Sequence, residues 1–316
     1  MKTLLITRPL PEPVIAAARE VAEVTVRETN VPMTEDEVRT AMAGYDIILP
    51  TLGDACTASA LTPGARCKLL ANFGVGYNHI DVAAAAAAGV MVSNTPGAVT
   101  DATADIAVML MLMTCRRAGE GERLVRAGAW EGWHPTQMLG LHMSGKTVGI
   151  VGMGRIGQAI ARRCHFGFGM KVIYFNRSPK PLADMPATQM QTLSGCMAGA
   201  DVVVLAIPGG PATRHFIDAE ALAALQPHAH LVNIARGDVL DEAALISALE
   251  ERRFAGAGLD VYEFEPAVPA RLRALENVVL LPHLGTAALE VRTSMGLMAV
   301  ENIRAFASGE ALPNAV

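Results

Sequence analysis

The chain has no run of like charges, no apolar stretch long enough to cross a bilayer, and no paired-cysteine motif. Each absence removes a class of function. A formal net charge of −5 with the charges dispersed argues against a nucleic-acid partner. The longest strongly apolar stretch, residues 106–115 (IAVMLMLMTC), falls well short of the ~20 residues a membrane span needs. It reads as a buried helix at a domain or subunit interface. At the amino terminus, MKTLLITRPL, a short apolar run ends at Arg8 and Pro9, which is the pattern of a first strand and not of a signal peptide. The five cysteines (Cys56, Cys67, Cys115, Cys164 and Cys196) are odd in number and lack C-x-x-C spacing. They predict reduced thiols in the cytoplasm, no disulfide framework and no metal site.

What remains is the composition of a compact enzyme: 316 residues, 51% apolar and 18% charged. That length predicts two domains. Short β-rich runs alternate with helix-length segments throughout: residues 3–7, 24–26, 46–50, 68–72 and 90–93, then 171–175, 201–207, 230–234, 256–261 and 278–281. Apolar strands separated by helices predict parallel sheets covered on both faces. Two such sets predict an α/β protein of two doubly wound parallel-sheet domains. The alanine run 83–88 reads as a short helix capped by Asp81 and ended by Gly89. Residues 129–141, which hold both tryptophans, break helical periodicity and read as a loop, and residues 294–307 read as a helix.

Between the two sets stands TVGIVGMGRIG, residues 147–157. Gly152, Gly154 and Gly157 have the G-x-G-x-x-G spacing, with a strand before them and a predicted helix 155–163 after. The spacing suits a dinucleotide for steric reasons. The first glycine makes the tight turn, the second admits a pyrophosphate, and the third lets helix pack on strand. The pyrophosphate then meets free N–H groups at a helix N-terminus. The following strand ends in KVIYFNR. Asn176 stands where an NAD-binding site places a carboxylate for the ribose 2′-hydroxyl, and Arg177 and Ser178 follow. A guanidinium there suits a 2′-phosphate, so the pattern points to NADP(H), with NAD(H) the weaker alternative. Arg236, Glu265 and His283 stand near the carboxyl ends of predicted strands, where open α/β sheets bind ligands.

Six blocks in order are similar to those of the D-isomer-specific 2-hydroxyacid dehydrogenases: NFGVGYNHID from Asn72, TDATAD from Thr100, GIVGMGRIGQ from Gly149, NIARGDVLDE from Asn233, GLDVYEFEP from Gly258 and PHLGT from Pro282. GWHPTQMLG and the NRS triplet resemble the NADPH-preferring glyoxylate/hydroxypyruvate reductases of that family most. The resemblance implies a flavodoxin-like substrate domain (residues 1–99 and 288–316) and a Rossmann cofactor domain (100–287). It implies reduction of small 2-keto acids to D-2-hydroxy acids by a cytoplasmic homodimer. His283 would be the general acid, Glu265 its hydrogen-bond partner and Arg236 the anchor for the substrate carboxylate. Leu52, Val75, Gly76 and Tyr77 would line the substrate, with Trp133 either reaching a partner subunit's site or filling its own domain. Further implied cofactor contacts are Thr103 on the phosphates, Arg155 and Ile156 in the glycine loop, Ile207, Pro208 and Thr213, Ile234 and Ala235, Asp260 and Gly285. A reductase of 2-ketogluconate or aryl-pyruvates, and a non-enzymatic dinucleotide-dependent sensor like the family's corepressors, are the alternatives.

Overall fold

The computed structural model describes residues 1–180 and 182–316. The chain divides into two compact units: Met1–Val99 with Thr286–Val316, and Thr100–Gly285.

The first unit is built on five parallel strands, β1 (Thr3–Ile6), β2 (Glu23–Val26), β3 (Ile47–Leu49), β4 (Leu69–Ala71) and β5 (Met91–Ser93), in the order β2-β1-β3-β4-β5. This is the flavodoxin-like order, with its switch point between β1 and β3. Alternation along each strand explains why both faces are covered. Leu4 and Ile6 of β1, with Ile47 and Leu49 of β3, enter one apolar cluster, and Leu5 and Ile48 enter the other. The carboxyl-terminal helix Leu289–Ser308 closes the first of these clusters with Ala299, Val300 and Ile303. The short helix Val82–Ala87 starts where Asp81 accepts from the Ala84 N–H at 2.9 Å, and Gly89 follows it at φ +70°.

Seven parallel strands make the second unit: β6 (Thr147–Val151), β7 (Lys171–Phe175), β8 (Thr188–Gln189), β9 (Val202–Leu205), β10 (His230–Asn233), β11 (Gly256–Leu259) and β12 (Val278–Leu280). Their order is β12-β11-β10-β9-β6-β7-β8, so the chain reverses direction across the sheet between β6 and β9. Val202 and Val204 of β9 face one cluster, Val203 and Leu205 the other. The two-residue strand β8 has no counterpart among the expected runs. The glycine-loop helix spans Arg155–Arg162, against the 155–163 expected, and continues as a π-helix over Arg163–Gly167. Helix Thr100–Cys115 buries Ala104, Ala107, Leu110 and Met111 within this unit, yet leaves Met109 and Leu112 exposed. No helix among the described residues is long and apolar enough to cross a membrane.

Candidate active site

The glycine loop leaves β6 at the switch point, the place where such sheets open a crevice. Two of its glycines are demanded by packing. Gly152 has φ +100°, and a Cβ there would lie 2.7 Å from the Ala206 carbonyl oxygen; one at Gly157 would collide with the Gly152 carbonyl. Gly154 is different, because a Cβ on it would meet nothing within 4 Å. Its lack of a side chain leaves space that no protein atom fills, which is what a pyrophosphate approaching the backbone requires. Gly154 also precedes the helix as its N-cap without a side-chain cap, leaving the first helical N–H groups for a ligand.

Around this loop the charges suit an anion. The Arg155 and Arg177 side chains are exposed and make no hydrogen bond or ion pair among the described residues. A cation in the first helical turn, as Arg155 is, faces the positive end of the helix dipole, and an anion bound there relieves that opposition. Asn176 ties the segment together: its Oδ1 accepts from the Met153 N–H at 3.2 Å and its Nδ2 donates to the Ser178 carbonyl at 2.8 Å. These residues fit a dinucleotide.

The expected proton donor sits on a heavily braced turn after β12. His283 has φ +54°, a left-handed conformation that a non-glycine residue adopts at a cost. Asp260, after β11, holds it there. The Asp260 carbonyl accepts from the His283 N–H at 2.9 Å, and its two carboxylate oxygens accept from the Leu284 and Gly285 N–H groups at 2.6 and 2.8 Å. Thr103 completes the brace by donating to the Gly285 carbonyl at 3.2 Å. Asp260 is buried; burial pushes its carboxyl up, against the two amide bonds and the nearby His283.

Glu265 Oε2 accepts from His283 Nδ1 at 2.9 Å, and its Oε1 accepts from the Tyr262 N–H at 3.0 Å. Burial opposes its charge, yet the hydrogen bond and charge of His283, the Tyr262 amide and Arg236 together hold the carboxyl below its ordinary value. With Nδ1 donating to a carboxylate, Nε2 is left to face a substrate. Tyr262 adds a second tie by donating its hydroxyl to the Leu281 carbonyl at 2.9 Å.

Arg236 follows β10 and opens a 3₁₀ turn, Gly237–Val239. Asn233 shapes this loop by donating to the Arg236 carbonyl and accepting from the Ala235 N–H, both at 3.0 Å. One guanidinium nitrogen donates to the Ala235 carbonyl at 2.7 Å, whereas Nε is buried without a partner among the described residues. Burial lowers the guanidinium's proton affinity, offset by the charges of Glu265 and Asp238. An arginine still stays charged. Its unmet donor is the kind of group a carboxylate ligand satisfies.

In the first unit, Leu52 follows β3 and the loop 73–77 follows β4, both at carboxyl ends of strands. Asn72 donates to the Gly74 and Gly76 carbonyls at 3.0 Å and Asn94 donates to the Val75 carbonyl at 2.9 Å. With those carbonyls bound, the Val75 and Gly76 N–H groups have no acceptor among the described residues. Asp54, which sequence reading missed, anchors the Leu52 turn by accepting from Thr7 Oγ1 at 2.6 Å and the Thr51 and Met33 N–H groups at 2.8 Å.

Ile234 and Ala235 are buried beside Arg236, whereas Ile207 and Pro208 follow β9 and Thr213 donates to the Pro208 carbonyl at 2.7 Å. Trp133 is 79% exposed, so it does not fill its own unit's core.

The parallel-sheet unit brings together a glycine cradle open to a dinucleotide, an imidazole–carboxylate pair and a buried guanidinium whose Nε has no partner among the described residues. Comparison gives the class. Residues 108–285 match the model of the D-isomer specific 2-hydroxyacid dehydrogenase NAD-binding domain. Glyoxylate reductase of Thermococcus onnurineus is 42% identical over 318 residues, covering 99% of this chain and 95% of that protein. Glycerate dehydrogenase of Hyphomicrobium methylovorum is 37% identical over 312 residues, covering 98% and 97%. Among solved structures, an NADPH-dependent glyoxylate/hydroxypyruvate reductase from Sinorhizobium meliloti, in complex with NADP and malonate, superposes with a TM-score of 0.88 at 35% identity, covering 100% of this chain and 96% of that one. The chain belongs to the D-isomer specific 2-hydroxyacid dehydrogenase family.

Proposed function

We propose that the protein reduces small 2-keto acids, glyoxylate and hydroxypyruvate foremost, to D-2-hydroxy acids with NADPH. The observation that carries this reading is the pairing of a buried guanidinium with an unmet Nε donor and an imidazole whose Nδ1 is committed to a carboxylate. Arg236 binds the substrate carboxylate and sets the carbonyl in place. Nε2 of His283 gives a proton to the carbonyl oxygen, and Glu265 keeps the ring oriented for that transfer. Within the first unit, the Val75 and Gly76 N–H groups, with Leu52 and Tyr77, are the groups offered to the substrate. Bound NADPH supplies the hydride.

The coenzyme is held by Gly152, Gly154, Arg155, Ile156 and Gly157 at its pyrophosphate, with Thr103 contributing on the phosphates. Ile207, Pro208 and Thr213 lie on the adenosine side, and Ile234, Ala235, Asp260 and Gly285 on the nicotinamide side. Asn176, Arg177 and Ser178 take the 2′-phosphate. An uncharged side chain at 176 and an unpaired cation at 177 support NADPH over NADH, and the reductase from Sinorhizobium meliloti is itself described as NADPH-dependent.

The protein works as a cytoplasmic homodimer in this reading. The exposed Met109, Leu112 and Trp133 support an interface, with Trp133 reaching the partner's site, and the five free cysteines accord with a reducing compartment. The test is initial-rate kinetics with NADPH and NADH against glyoxylate, hydroxypyruvate, 2-ketogluconate and phenylpyruvate. Highest kcat/KM for glyoxylate or hydroxypyruvate is expected; preference for an aryl or six-carbon acid overturns the substrate assignment. No coenzyme oxidation with any of them favours the sensor alternative.

A further inference from the structure

His215 has a conformation and a set of partners that the chemistry above does not account for. It stands after β9 with φ +49°, left-handed and adopted by few non-glycine residues. Its backbone N–H donates to the Asp238 carbonyl at 2.7 Å, two residues from Arg236. Its ring Nε2 donates to Glu263 Oε1 at 2.8 Å, two residues from Glu265. One residue therefore touches both the loop that carries the guanidinium and the loop that carries the carboxylate partner of His283.

Glu263 is well placed to receive that load. Its side chain is only 7% exposed, against 56% for Arg214, whose guanidinium reaches the same Oε1 at 3.1 Å. From behind, the buried Glu242 accepts from the Glu263 N–H at 3.4 Å. Burial pushes the Glu242 carboxyl up, with the Glu263 amide opposing the effect. The segment from Tyr262 to Glu265 is short, and Glu265 Oε1 is itself fastened to the Tyr262 N–H. Displacing Glu263 thus displaces the carboxylate that orients His283.

We propose that His215 is a positioning residue that locks the Arg236 loop to the Glu263–Glu265 segment, so that the carboxylate anchor and the proton donor keep a fixed relation. Its left-handed backbone is what lets the N–H face Asp238 while the ring faces Glu263. The role rests on the reading of Arg236 and His283 given above.

The experiment compares His215→Gly, Glu263→Gln and their double variant with the wild type. Glycine tolerates the left-handed backbone and retains the N–H, so it deletes the ring alone. Each single variant is expected to lower kcat by about tenfold or more and to raise the KM for the keto acid, since misplacements of about 1 Å cost that much. The KM for the coenzyme should stay within about twofold, and the double variant should be no worse than either single one. Arg214→Ala, which removes only an exposed contact, should cost less than about twofold.

Unchanged kcat and keto-acid KM, with or without a lower Tm, would overturn the proposal, as would additive losses in the double variant. Should His215→Gly fail to fold, Glu263→Gln against Arg214→Ala decides on the same criteria. Hydrogen exchange supplies a readout that needs no turnover. His215→Gly should speed exchange at the Glu263 and Val239 amides, and unaltered protection there contradicts the lock. A wild type that reduces no keto acid would instead refute the functional reading, and the exchange result would still decide for or against the lock.

Discussion

At the scale of single residues, the proposed preference for NADPH rests most heavily on one side chain. Arg177 is exposed and unpaired among the described residues, so a 2′-phosphate would meet a guanidinium that surrenders no existing bond. Hydrogen bonds between charged groups contribute about 1.5–3 kcal/mol, or about tenfold to a hundredfold in affinity. Arg177→Asp is therefore expected to shift the NADPH-to-NADH ratio of kcat/KM toward NADH by at least about tenfold, in initial-rate assays at fixed keto acid. An unchanged ratio would remove Arg177 from the coenzyme site. Residues of this kind were legible in the sequence because each is a charged group just past a strand: Arg236 after β10, Glu265 after β11 and His283 after β12. His215, Glu263 and Asp54 were not, since their meaning lies in contacts with segments tens of residues away. TRHFID contains nothing that announces a left-handed histidine.

At the scale of elements, the strands were readable because parallel strands buried on both faces are continuous apolar runs; β7 was anticipated over its full span, Lys171–Phe175. The two-residue β8 and the π-helix Arg163–Gly167 left no such trace. Pairing at a sheet edge creates the first, and a widened helical turn has no residue period of its own. Strand β10 carries a consequence for acid stability. His230 opens it with a buried side chain, and burial first, then the charge of His228, pushes its pKa down to about 4. The folded value lies below the unfolded one of about 6.5, so on acidification the unfolded chain binds a proton that the native state refuses. Stability is then lost as pH falls from about 6.5 to about 4, by on the order of 3 kcal/mol. The fall in urea midpoint from pH 7 to pH 5 should be smaller for His230→Asn than for the wild type. Equal pH dependence of the two would show that His230 protonates freely in the fold.

At the scale of the whole molecule, each unit carries the loop proposed to face a ligand at the carboxyl end of a strand, the glycine loop after β6 and the loop 73–77 after β4. The proposed homodimer predicts a solution mass of twice the 33.2 kDa chain by light scattering; a mass of one chain would contradict it. His283, aligned by Glu265 beside Arg236, is proposed to give the proton that completes 2-keto acid reduction, and one measurement tests that role most directly. Single-turnover and steady-state rates of NADPH oxidation by glyoxylate, for the wild type and His283→Ala, separate chemistry from binding. Wild-type turnover with a loss of kcat of about a hundredfold or more in the variant, at unchanged NADPH affinity, is the result predicted. Near-normal turnover in His283→Ala would contradict it.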